Sequence, residues 1–157
     1  MAGTLKVKVE ENIILDNQDY SSKRVFEISS IANITKKIVT IAADDDATVL
    51  VFKSTTAIAD GALDLQTVKY IRITNLDSSN SVNISLQLDS DENNSAADLS
   101  ITHLLEAGRS FLMGAPDEAV HADDDVASIV TALTDLESII VDPGSNTGKV
   151  EVFVAST

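Results

Sequence analysis

Cysteine is absent from the chain, which excludes a disulfide framework and a thiolate metal site and leaves folding to packing and strand pairing. Tryptophan is absent as well, and aromatic residues make up only 4%, too few for a stacking platform that would hold sugar rings or bases. Cations are scarce: 11 Lys and Arg face 25 Asp and Glu, for a net charge of −14. Such a field repels phosphate backbones and argues against a nucleic-acid partner. No segment approaches the roughly 20 apolar residues of a membrane-crossing helix. The opening M-A-G-T-L-K-V-K-V-E-E-N enters alternation directly, without the apolar core of a signal peptide. A soluble protein with no membrane partner is the expectation.

What is present is a supply of small apolar side chains. Hydrophobic residues make up 44% of 157 positions, enough for one core, and a single domain over residues 1–157 is expected. In T-L-K-V-K-V-E, Leu5, Val7 and Val9 point one way and Lys6, Lys8 and Glu10 the other, the period of a half-buried strand. Asn12 to Asp16 adds a short apolar run, and Asn-Gln-Asp-Tyr-Ser-Ser reads as a loop. Arg24 to Ser29 and Asn33 to Ile41 read as strands, with Lys36 and Lys37 placed to meet solvent or another subunit. Asp44, Asp45 and Asp46 mark a turn before a strand over Thr48 to Phe52. Thr55 to Gln66 lacks alternation and reads as a long connection.

T-V-K-Y-I-R-I-T-N-L-D-S-S-N-S-V-N-I-S-L-Q-L, residues 67–88, predicts a hairpin. Ile71 and Ile73 share one face, Val82, Ile84, Leu86 and Leu88 share another, and Asn75 to Asn80 supply the bend through their short polar side chains. A second hairpin is predicted around Glu106-Ala107-Gly108, and a third joins Leu136–Val141 to K-V-E-V-F-V-A through D-P-G-S-N-T-G. Val126 to Leu133 is read as irregular or strand because of its β-branched residues. About ten short strands with frequent turn signals predict an all-β fold, an antiparallel β-sandwich for which a jelly roll is one arrangement; the sequence does not fix the strand order.

Candidate chemistry is thin. Asp89, Asp91 and Asn93 match the first oxygen ligands of an EF-hand calcium loop, but Asn94 stands at the glycine position and Ser100 where a bidentate Glu belongs, so a solvated acidic loop is favoured. The triplets Asp44–Asp46 and Asp123–Asp125 read as solvated turns rather than cation sites. His103 and His121 lack a recognisable catalytic partner and read as structural. No nucleophile elbow, zinc-binding helix motif or phosphate loop is present, and neither a cofactor nor an enzymatic activity is expected. Arg72, on the polar face opposite Ile71 and Ile73, and Arg109, beside Gly108, are candidate interface residues together with Lys36 and Lys37. For the two arginines, pairing within this acidic chain is the favoured alternative.

The stretches K-Y-I-R-I-T-N-L-D at 69–77, L-E-A-G-R-S-F-L-M at 105–113 and V-E-V-F-V-A-S at 150–156, with the opening M-A-G-T-L-K-V-K-V, resemble small structural proteins of tailed bacteriophages, especially phages of marine cyanobacteria. The resemblance implies a β-sandwich virion component on the capsid surface, a decoration or cement protein. Its implied partners are the major capsid protein and further copies of itself, as a trimer. It carries no catalytic residue over onto this chain. A tail- or fibre-associated adhesion module is the alternative, because phage structural proteins reuse one sandwich for several duties. A metal-dependent hydrolase stands third, without an assembled active-site pattern.

Overall fold

The computed structural model describes residues 2–54, 61–88, 99–122 and 133–157. The first four strands, β1 (Gly3–Glu11), β2 (Ile14–Leu15), β3 (Gln18–Asp19) and β4 (Ser22–Ile31), form a hairpin arm in which β1 pairs with β4 and β2 with β3, all antiparallel. The following strands are β5 (Asn33–Ile41), β6 (Ala47–Lys53), β7 (Leu63–Asp64), β8 (Val68–Asn75), β9 (Val82–Leu88), β10 (Leu99–Leu105), β11 (Ser110–Met113), β12 (Leu136–Asp142) and β13 (Gly148–Ser156). They build two sheets, one ordered β11-β8-β13-β5 and the other β10-β9-β12-β6-β7. Apart from the short parallel pair β6-β7, every pairing in them is antiparallel. Without β7, this is the strand order of a jelly roll, in which successive strands wind back and forth between two packed sheets. Three strands have only two residues, and the other ten match the expected number of short strands.

Alternation explains the packing. Ile71, Ile73, Val150, Val152 and Val154 point inward from the first sheet, and Ile84, Leu86, Leu88, Ile139 and Val141 from the second, all buried in one core. These side chains are mostly β-branched, stiff at χ1 and suited to a pleated surface. Burying each contributes about 1.5–3 kcal/mol relative to exposure.

The predicted strands formed, but the three predicted hairpins did not. β8 pairs with β13 and β11, whereas β9 pairs with β10 and β12, so residues 76–81 carry the chain from one sheet to the other. The β10–β11 and β12–β13 connections likewise join different sheets. The physical reason is that two sheets facing one core impose the same period of two as a hairpin with one buried face. The bend itself works as read: Asp77 Oδ1 accepts from the amides of Ser79 and Asn80, both at 2.8 Å. Those two amides, Asn80 first, hold the Asp77 carboxyl below its ordinary value.

Asn75 ties this arch to its neighbour. Fully buried, its Nδ2 donates to the carbonyls of Asn80 (2.8 Å) and Leu105 (3.2 Å), and its Oδ1 accepts from the Asp77 amide (3.0 Å). Its own amide donates to the Arg109 carbonyl at 2.9 Å. At the third arch, a Cβ on Gly148 would lie 2.6 Å from Pro143 Cβ, so only glycine fits without displacing the proline.

The arm departs from the expected half-buried strand. Leu5, Val7 and Ile28 near its base pack on Tyr70, Phe153 and Ala155, which lie on the outer face of the four-stranded sheet. Val9 and Phe26 share that apolar side of the arm but are exposed. The tight turn of the arm straddles the apolar run and the segment read as a loop: Asp16 and Asn17 both adopt positive φ, at 51° and 63°, between β2 and β3. Two consecutive positive φ values are the requirement of a type I′ hairpin turn, which Asp and Asn tolerate.

Candidate interaction surface

The outer face of the four-stranded sheet gathers side chains from distant parts of the sequence. Register places Tyr70, Arg72 and Thr74 of β8 beside Ala155, Phe153 and Glu151 of β13, and these beside Ile34, Lys36 and Ile38 of β5. Leu112 of β11 lies next to Arg72. Glu151 is the hub. Arg72 Nη2 is in close contact with Glu151 Oε1, and Lys36 Nζ lies 3.1 Å from Oε2. The Glu151 side chain is 16% exposed. The hydrogen bond from Lys36, then the charges of Lys36 and Arg72, hold its carboxyl below the ordinary value of 4.5 against the opposing effect of burial.

The Arg72 guanidinium also lies over the Phe153 ring, 5.5 Å from its centroid, and Tyr70 meets that ring edge-on at 6.1 Å. Burial raises the Tyr70 phenol above its ordinary 10.0, with Arg72 acting the other way. Arg72 Nε is buried without a hydrogen-bond partner among the described residues. Ile34, Ile38 and Leu112 on the same face are each about half exposed.

Of the four cations singled out in the sequence, Arg72 and Lys36 therefore converge on one carboxylate. Lys37 lies on the opposite side of β5, level with the inward-facing Val152, and lines a shallow groove of about 310 Å³ with Lys53 and residues of β6. A charge pointing inward along an edge strand discourages another strand from adding there. Arg109 lies in the β10–β11 turn, where its amide donates to the Glu106 carbonyl at 3.1 Å. The candidate calcium ligands Asp89, Asp91 and Asn93 lie outside the described residues, as do Asp123–Asp125 and most of Val126–Leu133.

The histidines are in separate settings. His103 is exposed on β10, its ring 5.8 Å from that of Phe111 across the sandwich edge, while His121 Nδ1 lies 3.2 Å from Thr134 Oγ1. Among the described residues no three His, Asp or Glu side chains are grouped as metal ligands would be. Glu151, the centre of the outer-face cluster, escaped the sequence reading. Its signal was its place on the polar side of K-V-E-V-F-V, but nothing in that strand names its neighbours.

The second surface is the distal arm. Ile13, Ile14, Leu15 and Tyr20 at its end are all more than half exposed, with Ile14 at 75%, and Val25 and Phe26 are nearly half exposed. Lys6 pairs with Glu27 at 2.8 Å and Lys8 with Glu10, so the polar side of the arm is largely self-neutralised.

No family model and no curated protein matches the chain. Among solved structures, it is similar to a chain from work titled "Bacillus endospore appendages form a novel family of disulfide-linked pili", with 14% identity over 79% of this chain and 88% of that chain and a TM-score of 0.37. A likeness of that extent carries no information about what this chain does.

Proposed function

We propose that the chain is a structural protein of a virion, a decoration protein that binds the assembled phage head and stabilises it by preferring the completed lattice to free subunits. One observation carries the structural part of this reading. An acidic jelly roll extends a two-stranded arm whose end presents Ile13, Ile14, Leu15 and Tyr20 to solvent. An isolated two-stranded hairpin is marginal in water and gains support from a further surface. Exposed apolar side chains in this number support contact with a further macromolecular surface. The choice of phage head and major capsid protein rests on the sequence resemblance.

The test is binding of purified protein to heads that lack it. Saturable, stoichiometric binding that raises the temperature of head disruption is the expected result. Absence of binding to heads, with binding to tails or host cells instead, would replace decoration with a tail or adhesion role.

A further inference from the structure

Half of the apolar side of the arm is covered by its own sandwich, and half of the sandwich's outer face is covered by its own arm. Leu5, Val7 and Ile28 cover Tyr70, Ala155 and Phe153, while Phe26, opposite Val7, and Val9 beyond it are nearly half exposed. On the sheet, Ile34 and Ile38 on the β5 edge and Leu112 on the β11 edge are about half exposed. The exposed residues of the distal arm and of the β5 edge are branched aliphatic or aromatic, like those already packed together at the arm's base.

Charge supports the match. Residues 3–31 hold four of the 11 bases and five of the 25 acids, so the strong negative charge belongs to the remainder of the chain, and two sandwiches repel each other. The outer face is an exception within that acidic body, with Lys36, Arg72 and Lys149 against the single acid Glu151. Along the distal arm Lys8 pairs with Glu10, and Arg24 and Glu11 share the apolar side, so the excess acid lies at the tip, in Asp16 and Asp19. An arm of about 30 Å also gives the reach to make this contact while the acidic bodies stay apart.

We infer that the distal arm of one copy packs on the β5 edge of the outer sheet face of a second copy, with Val9 and Phe26 against Ile38 and the acidic tip toward Lys149 and Lys36. The contact is heterologous, arm to face, so a closed rotation gives a ring and an open one a filament. The inference rests on the structural-protein reading and names the surfaces through which copies meet.

Sedimentation velocity of the full chain across the micromolar range tests it. The wild type associates, and both Phe26→Asp and Ile38→Asp weaken the association roughly tenfold or more. Leu104→Asp, at an exposed residue on the outer side of the other sheet, leaves it unchanged. Mixing Phe26→Asp with Ile38→Asp restores complexes, because one partner supplies an intact face and the other an intact arm. Lys149→Glu, a surface charge reversal that leaves the core untouched, weakens association and reduces its sensitivity to salt.

A wild type that stays monomeric would overturn the inference, as would Phe26→Asp and Ile38→Asp variants that associate like it or a Leu104→Asp variant that loses as much. A monomer that still binds phage heads would refute arm-to-face assembly and leave the decoration role standing. An arm-dependent oligomer that ignores heads would do the reverse.

Discussion

The arm and the sandwich are written in the same sequence pattern and stand in opposite environments. T-L-K-V-K-V-E in β1 alternates as regularly as K-V-E-V-F-V in β13. Yet Val150 and Val152 are fully buried, whereas Val9 is 42% exposed. Alternation reports that a strand has two chemically different sides, and only a second layer decides whether the apolar side is covered. The sandwich carries its second layer within the chain. The arm carries half of one.

The contrast makes the largest expected effect a pair of truncations. Ile73→Ala in the core should lower unfolding free energy by about 2–5 kcal/mol, while Ile14→Ala at the arm tip should change it by less than about 0.5 kcal/mol in urea denaturation of the unassociated chain. Comparable losses at the two positions would mean that the arm is integral to the folded body. Next is Asn75→Ala, which strips the Asn80 and Leu105 carbonyls of their donor and the Asp77 amide of its acceptor. A loss of about 1–3 kcal/mol is expected from unpaired buried groups, and a loss near zero would show that these arches do not depend on it.

Smallest is Glu151→Gln on the outer face, expected to cost under about 1 kcal/mol near neutral pH because Lys36 is largely solvated. Its diagnostic is pH. The folded-state pKa of Glu151 lies below its ordinary 4.5, so its contribution is present above that value and is lost as pH falls through the lowered folded value. The variant should therefore lose less stability than the wild type on acidification through that range. Parallel losses would place the acid sensitivity in other carboxylates.

Strand positions were legible because β-branched residues at period two leave little choice, as in Asn33 to Ile41, predicted and observed over the same residues. Partners were less so. The polar bend at Asn75 to Asn80 reads alike whether it closes a hairpin or spans two sheets. The tight turn at Asp16-Asn17 falls on the boundary between a segment read as a short apolar run and one read as a loop, and its two positive φ values have no glycine to mark them. On the outer face, Arg72 and Lys36 were visible as cations on polar strand sides. Their shared carboxylate was not, because Lys36, Arg72 and Glu151 meet only through a strand order that no local pattern encodes.

That order also sets a schedule for synthesis. β13 lies between β8 and β5, in the middle of its sheet rather than at an edge. While a ribosome is still making residues before Gly148, β5 and β8 have no common neighbour, so the four-stranded sheet cannot be completed. Completion of that sheet therefore waits for β13, a delay in which chaperone capture or contact between neighbouring chains competes with folding. The base of the arm shares that wait, because Leu5, Val7 and Ile28 pack on Phe153 and Ala155 of β13.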